Sequence, residues 1–230
     1  MKKQVLYAAF RDTVPVMTGY LFLGFGFGIL MYQNHFGFLW SVAMSLFVYA
    51  GSMQYVGVSL LTGGAGILTT ALTTLLVNAR HLFYGISMVD AYKGAGKKKP
   101  YLIFALTDET YSLVSQAKPA EGMSRHSYCF LVSFLDQCYW VAGTALGALA
   151  GAFLPVNLEG IDFVLTALFV TIFVEQWLST KEHLPALIGV AATVVCLLIF
   201  GRDIFLIPSM AVIALSLTML RNNRKEKENA

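Results

Sequence analysis

Val14-Pro-Val-Met-Thr-Gly-Tyr-Leu-Phe-Leu-Gly-Phe-Gly-Phe-Gly-Ile-Leu-Met-Tyr32 runs for the length of a membrane-spanning helix without one charged residue. A helix needs about 20 mostly apolar residues to cross the hydrocarbon core of a bilayer. Seven further stretches of this kind follow: Phe38–Leu61, Gly66–Tyr92, Tyr101–Gln116, Ser127–Leu154, Ile161–Trp177, Leu184–Phe200 and Ile204–Leu220. The composition agrees, with 57% hydrophobic and 13% charged residues over 230 positions. Soluble domains carry about 25% charged residues, so a water-soluble enzyme and a disordered chain are both excluded. The sequence specifies an all-α polytopic membrane protein with 6 to 8 spans, forming a single integral membrane domain over 1–230. Val5–Phe10 is too short an apolar core for a signal peptide, and Arg11-Asp12 follow it.

The second half echoes the first. A slide of 122 residues matches Leu46-Phe47-Val48 with Leu168-Phe169-Val170, Gln54 with Gln176, Arg80 with Arg202 and Phe83 with Phe205. Gly24 and Gly28 find counterparts in Gly147 and Gly151 at a nearby slide. Pseudo-repeats of about 12–100 and 126–222 follow. Basic residues gather before the first span, at Lys93–Lys99 and after Arg221, and such clusters mark cytoplasmic loops. If Phe38–Leu61 and Ile161–Trp177 are broken and re-entrant, 12 basic residues lie inside and 3 outside. The two halves are then inverted repeats and both termini are cytoplasmic. The expected breaks are at Ala50-Gly51-Ser52 and near Phe173–Glu175, since matched interruptions mark transport sites. An unbroken tilted helix is the alternative for Phe38–Leu61.

A charge within a span costs at least about 2.5–3.5 kcal/mol by insertion scales, so it faces a cavity or a partner. The candidates for substrate binding or coupling are Gly51, Gln54, Asn78, Arg80, His81, Asp108, Glu109, Asp136, Glu175 and Gln176. They suit a zwitterionic amino acid. Arg80, or N–H groups at a broken helix end, meets the carboxylate. Asp108, Glu109, Asp136 or Glu175 meets the ammonium, and Met53, Tyr55 and phenylalanines offer an apolar slot. His81 is a candidate for proton coupling. The competing reading is that Arg80 pairs permanently with Asp108 or Glu109 to brace two helices.

Cys129, Cys138 and Cys196 read as small buried hydrophobes without metal-ligand or disulfide spacing. Gly94-Ala95-Gly96-Lys97 lacks the remaining residues of a phosphate-binding loop. Gly85-Ile86-Ser87-Met88-Val89 lacks the last Gly of a nucleophile elbow. No enzyme, metal, cofactor, ATPase subunit or nucleic-acid partner is implied.

The landmarks taken in order resemble the AzlC family. They are Gly19, Gly24, Gly26 and Gly28, then Ala50-Gly51-Ser52-Met53-Gln54, Asn78-Ala79-Arg80-His81, Asp108-Glu109, and Tyr139-Trp140 with Gly143 and Gly147. The resemblance runs from Val14 to Trp177. It implies the large subunit of a two-component exporter of valine, leucine, isoleucine and sometimes methionine in the bacterial inner membrane. It further implies an ion or proton gradient as driving force and a separate small membrane subunit of the AzlD type. Ala79 and Tyr55 depart from the Leu and Phe expected there, and the final quarter of the chain carries little family signal.

Overall fold

The computed structural model describes residues 2–115, 117, 124–153, 163, 166–167, 170, 173–174, 177–178, 180, 182–205, 208–209, 211–213 and 215–220. The described secondary structure is helical, as expected of a polytopic membrane protein. The chain divides into two units, Met1–Leu168 and Phe169–Ala230.

The first unit contains α1 (Lys2–Gln33), α2 (Phe38–Phe47), α3 (Gly51–Thr62), α4 (Ile67–Val77), α5 (Ala79–Met88), a 3-10 turn at Gly96–Lys98, α6 (Lys99–Phe104), α7 (Asp108–Ser115) and α8 (Arg125–Phe153). In the second unit α9 covers Leu184–Ile204, with a non-helical residue at Gly201, φ 72°. Helices over Lys3–Gln33, Arg125–Phe153 and Leu184–Gly201 are long and apolar enough to cross a membrane. Their outer faces, and those of the shorter helices, expose side chains such as Phe22, Trp40, Ile67, Leu68 and Leu198. Hydrocarbon solvates such faces and water does not.

The long helices α1 and α8 pack at close range because glycines face each other. A Cβ on Gly24 would lie 2.8 Å from the Trp140 carbonyl oxygen, and one on Gly143 would lie 2.7 Å from that of Leu21. Gly28 and Gly147 are tighter still, against the backbones of Thr144 and Phe25. Small residues at such steps let helix backbones approach where no hydrophobic force acts between them. Helix α1 then stops in a turn closed by Phe36 N–H to Met31 O at 2.9 Å, with His35 left-handed at φ 63°.

Two apolar cores lie along this pair. One gathers Ala9, Met88, Leu102, Leu106, Val114 and Val132, and the other gathers Tyr20, Phe27, Tyr49, Tyr55, Ala105 and Trp140. On α8, Val132 belongs to the first core and Trp140 to the second, so Asp136 falls one helical turn from each.

Three of the expected spans are broken. Phe38–Leu61 divides at Val48–Ala50, as anticipated in kind but two residues early. The strained residue there is Tyr49, at φ 43°, and Gly51 and Ser52 already belong to the first turn of α3. Gly66–Tyr92 and Tyr101–Gln116, read as continuous from hydropathy, divide at Asn78 and at Ala105–Thr107. Apolar content alone does not reveal these breaks. Cys138 also differs from expectation: it is exposed on α8, whereas Cys129 and Cys196 are buried. Phe173 and Val174 are helical, but Glu175 and Gln176 lie outside the described residues, as does much of the span around them.

Candidate functional site

The three breaks meet at one cavity of about 500 Å³. Val48, Tyr49 and Ala50 come from the first break, Asn78 from the second and Leu106 from the third. Between them His81, Leu82, Gly85, Ile103 and Phe104 form a largely apolar wall.

Local chemistry holds each helix at the point where it restarts. At α3, Gln54 reaches back so that its Oε1 accepts the Ala50 N–H at 3.2 Å. The same oxygen accepts the Trp140 indole N–H at 3.0 Å, and Gln54 Nε2 donates to Ser45 on α2 at 3.2 Å. Ser45 in turn lies 2.8 Å from Thr144 Oγ1 on α8. One buried glutamine therefore ties both sides of the break to α8. Gly51 lets the Trp140 ring sit over the helix start, 3.4 Å from where a Cβ would stand. At α7, Thr107 Oγ1 accepts the Thr110 N–H at 3.3 Å as an N-cap does. Asp108 and Glu109 occupy the favourable acidic positions of that first turn.

Arg80, second residue of α5, joins the restarting helices. Its Nη1 lies 2.6 Å from Asp108 Oδ2 on α7, and its Nη2 donates to Ser52 Oγ on α3 at 3.1 Å. The first turns of α3, α5 and α7 thus converge on one guanidinium. Arg80 Nε and Asp108 Oδ1 are buried without a hydrogen-bond partner. Asn78 and His81, on either side of Arg80, line the cavity. His81 Nδ1 lies 3.3 Å from the Asn78 carbonyl oxygen. The His81 ring stands edge-on to Tyr84, which stacks on Tyr111 at 4.5 Å.

Glu109 turns away from Arg80's partner toward α1, with its Oε2 2.7 Å from the Tyr20 hydroxyl. Tyr20 Oη is 2.6 Å from Thr107 Oγ1, which is 3.0 Å from Thr110 Oγ1. Thr110 Oγ1 is 2.7 Å from Asp136 Oδ2. Asp136 and Thr110 have 0% exposure, and Asp136 Oδ1 has no partner. These groups form a polar layer between the two apolar cores.

The sequence-derived residues thus separate. Asn78 and His81 line the cavity. Arg80 and Asp108 form an ion pair beside it. Gly51 and Gln54 build the start of α3, and Glu109 and Asp136 end the polar layer. Tyr55 belongs to the core, with no exposed surface, and donates its hydroxyl to the Leu23 carbonyl at 2.6 Å; Met53 is buried as well. Leu82, Ile103, Phe104 and Leu106 form the apolar wall instead. Sequence reading placed Ser52 at the break without its bond to Arg80, and missed Tyr20, Thr107 and Thr110. A serine or threonine hydroxyl in an apolar helix is cheap, because it can bond to its own backbone, and a tyrosine counts as largely apolar, so neither stands out as a charge does.

The chain belongs to the AzlC family: the family model described as AzlC protein matches residues 15–154. A relative from Bacillus subtilis named "Branched-chain amino acid transport protein AzlC" is 43% identical, over 99% of this chain and 91% of its own length. That alignment extends through the final quarter, where the sequence alone showed little family signal. An "Uncharacterized membrane protein" of Haemophilus influenzae is 44% identical over 92% of this chain and 87% of its own. The "Inner membrane protein YgaZ" of Escherichia coli is 31% identical over 80% and 79% respectively. No solved structure matches. The chain is an integral membrane protein of this family.

Proposed function

We propose that this chain is the large subunit of a secondary active exporter of branched-chain amino acids. Its substrates are valine, leucine and isoleucine, with methionine as a further one, and a proton or ion gradient drives it. It works in the bacterial inner membrane with both termini cytoplasmic, alongside a small AzlD-type subunit and without an ATPase. The name of the Bacillus subtilis relative supports the substrate class.

One observation carries the reading. Arg80 Nε is a buried donor without an acceptor, and Asp108 Oδ1 is a buried acceptor without a donor. Their ion pair stands beside an apolar-walled cavity at the meeting of three helix breaks. An amino-acid zwitterion brings one group for each, its carboxylate to the guanidinium and its ammonium to the aspartate. A branched apolar side chain then takes the wall of Leu82, Ile103 and Phe104. The internal duplication is part of this proposal. The non-helical Gly201 stands 122 residues after Ala79, the residue that opens α5. Glu175 and Gln176 remain candidate site residues of the second half.

The test is efflux of labelled valine from cells coexpressing the chain with a small partner. Faster efflux and lower internal valine, abolished by a protonophore, are expected. Unchanged valine retention with the protein present in the membrane refutes the proposal.

A further inference from the structure

The polar layer contains four oxygen–oxygen contacts in series: Glu109 to Tyr20, Tyr20 to Thr107, Thr107 to Thr110 and Thr110 to Asp136. They measure 2.7, 2.6, 3.0 and 2.7 Å. Each is a hydrogen bond only if one hydrogen lies between its two oxygens. The three hydroxyls supply one hydrogen each, and an ionised carboxylate supplies none. If Tyr20 donates to Glu109 and the two threonines donate toward Asp136, Tyr20 and Thr107 face each other at 2.6 Å with no hydrogen between them. The fourth hydrogen must sit on one of the carboxyls.

The geometry points to a single proton shared by Glu109 and Asp136 through Tyr20, Thr107 and Thr110, and to that proton as the one moved in the transport cycle. With the proton on Glu109, its O–H donates to Tyr20, Tyr20 to Thr107, Thr107 to Thr110, and Thr110 to ionised Asp136. Shifting each of the four hydrogens one place along the series leaves Glu109 ionised and Asp136 protonated, with every donor reversed. The shift transfers one proton and changes no net charge. Both arrangements satisfy all four contacts, so the series has two equivalent settings and no good intermediate one.

The two ends differ in surroundings. Glu109 lies next to the Arg80–Asp108 pair and within the field of both. Asp136 is fully enclosed, with an unpartnered oxygen, and the titratable groups facing it are Tyr49, Tyr101 and Glu109. Substrate that draws Asp108 toward its ammonium alters the field at Glu109 and favours one setting over the other. That link rests on the proposed transport reading; the hydrogen count does not.

Two measurements on the full-length chain in lipid test this. Infrared spectra at neutral pH should contain the carbonyl stretch of a protonated carboxylic acid that is lost in a Glu109→Gln/Asp136→Asn double variant. Absence of that band overturns the shared proton, whether or not the protein moves valine. The second compares gradient-driven valine transport with valine–valine exchange, the small subunit being coexpressed. Thr110→Val and Tyr20→Phe each remove one hydroxyl and keep the shape. Each should reduce driven transport at least tenfold while exchange changes less than twofold, and Thr110→Ser should restore driven transport. Driven transport that survives both interruptions overturns the relay. So does parallel loss of transport and exchange with no rescue by serine. If the unaltered chain moves no valine, the transport reading fails alone and the infrared band still decides the proton.

Discussion

Arg80→Lys keeps a positive charge where the three helix starts converge and removes the fork that reaches two of them at once. Arg80 uses separate nitrogens for Asp108 at 2.6 Å and for Ser52 at 3.1 Å. A lysine ammonium placed against Asp108 forfeits the second bond, and it presents no planar face to a carboxylate. A hydrogen bond to a charged group contributes about 1.5–3 kcal/mol. The side chains of Arg80 and Asp108 are 26% and 22% exposed, which places the loss at the low end, about 1.5 kcal/mol or roughly tenfold in a rate or equilibrium. Arg80→Met removes the charge altogether and strands Asp108, a larger penalty of up to about 3–5 kcal/mol for a fully buried pair. The assay measures valine efflux, membrane abundance and thermal unfolding in detergent for both variants. Efflux should fall about tenfold in Arg80→Lys with abundance unchanged, and should vanish in Arg80→Met. Wild-type efflux from both, or a fall in efflux matched by loss of protein, refutes a substrate role and leaves Arg80 as a brace.

Other substitutions probe the surroundings. Gly85 lines the cavity, and a Cβ there meets nothing within 4 Å; Gly85→Leu should abolish valine binding by calorimetry without lowering the unfolding temperature. Gly147→Ala drives a methyl into the Phe25 backbone and should cost about 1–3 kcal/mol as overpacking does, seen as a lower unfolding temperature. Gly19→Ala, with open space around it, serves as the unperturbed control. Gln54→Leu strands the Trp140 indole N–H and the Ala50 N–H, each costing about 1–3 kcal/mol. Gln54→Glu keeps the acceptor and should retain more of the stability.

The long helices were legible because an apolar run such as Val14–Tyr32 has few alternatives in a membrane, whereas the facing of their glycines emerges only in the structure. The identity of the polar residues was legible for the same reason, since Arg80, Asp108 and Asp136 are expensive in an apolar helix and demand partners. The breaks were harder. Asn78 and Ala105–Thr107 interrupt their stretches without proline or a glycine pair; the polar residues beside them read as buried groups rather than as helix ends, and the cap at α7 is a local threonine. Tyr49 is the clearest case. It has a positive φ and its ring is buried beside Phe104, at a centroid distance of 6.2 Å, and nothing in its own chemistry announces that backbone. The hydroxyl series was invisible because a threonine or tyrosine acquires meaning only beside a particular neighbour in space.

Under the proposed transport reading, the glycine seam between α1 and α8 bears on how the cavity would open first to one side of the membrane and then to the other. Backbones in contact at Gly24, Gly28, Gly143 and Gly147 leave no room for a side chain between them. The pair is the most extensively packed of the first unit and so serves as its mast, leaving the movement that a transport cycle would need to the helices around it. The candidates are the short helices on the far side of each break, α3, α5 and α7, which are pinned together at a single guanidinium. Helix α3 is also bonded to α8 and α1 through Gln54 and Tyr55, and α7 through Thr110 and Glu109, so among the described residues α5 is the arm that depends most on that pin. Under the transport reading, a ligand that claims Arg80 and Asp108 for itself would occupy the site and loosen α5 in the same act.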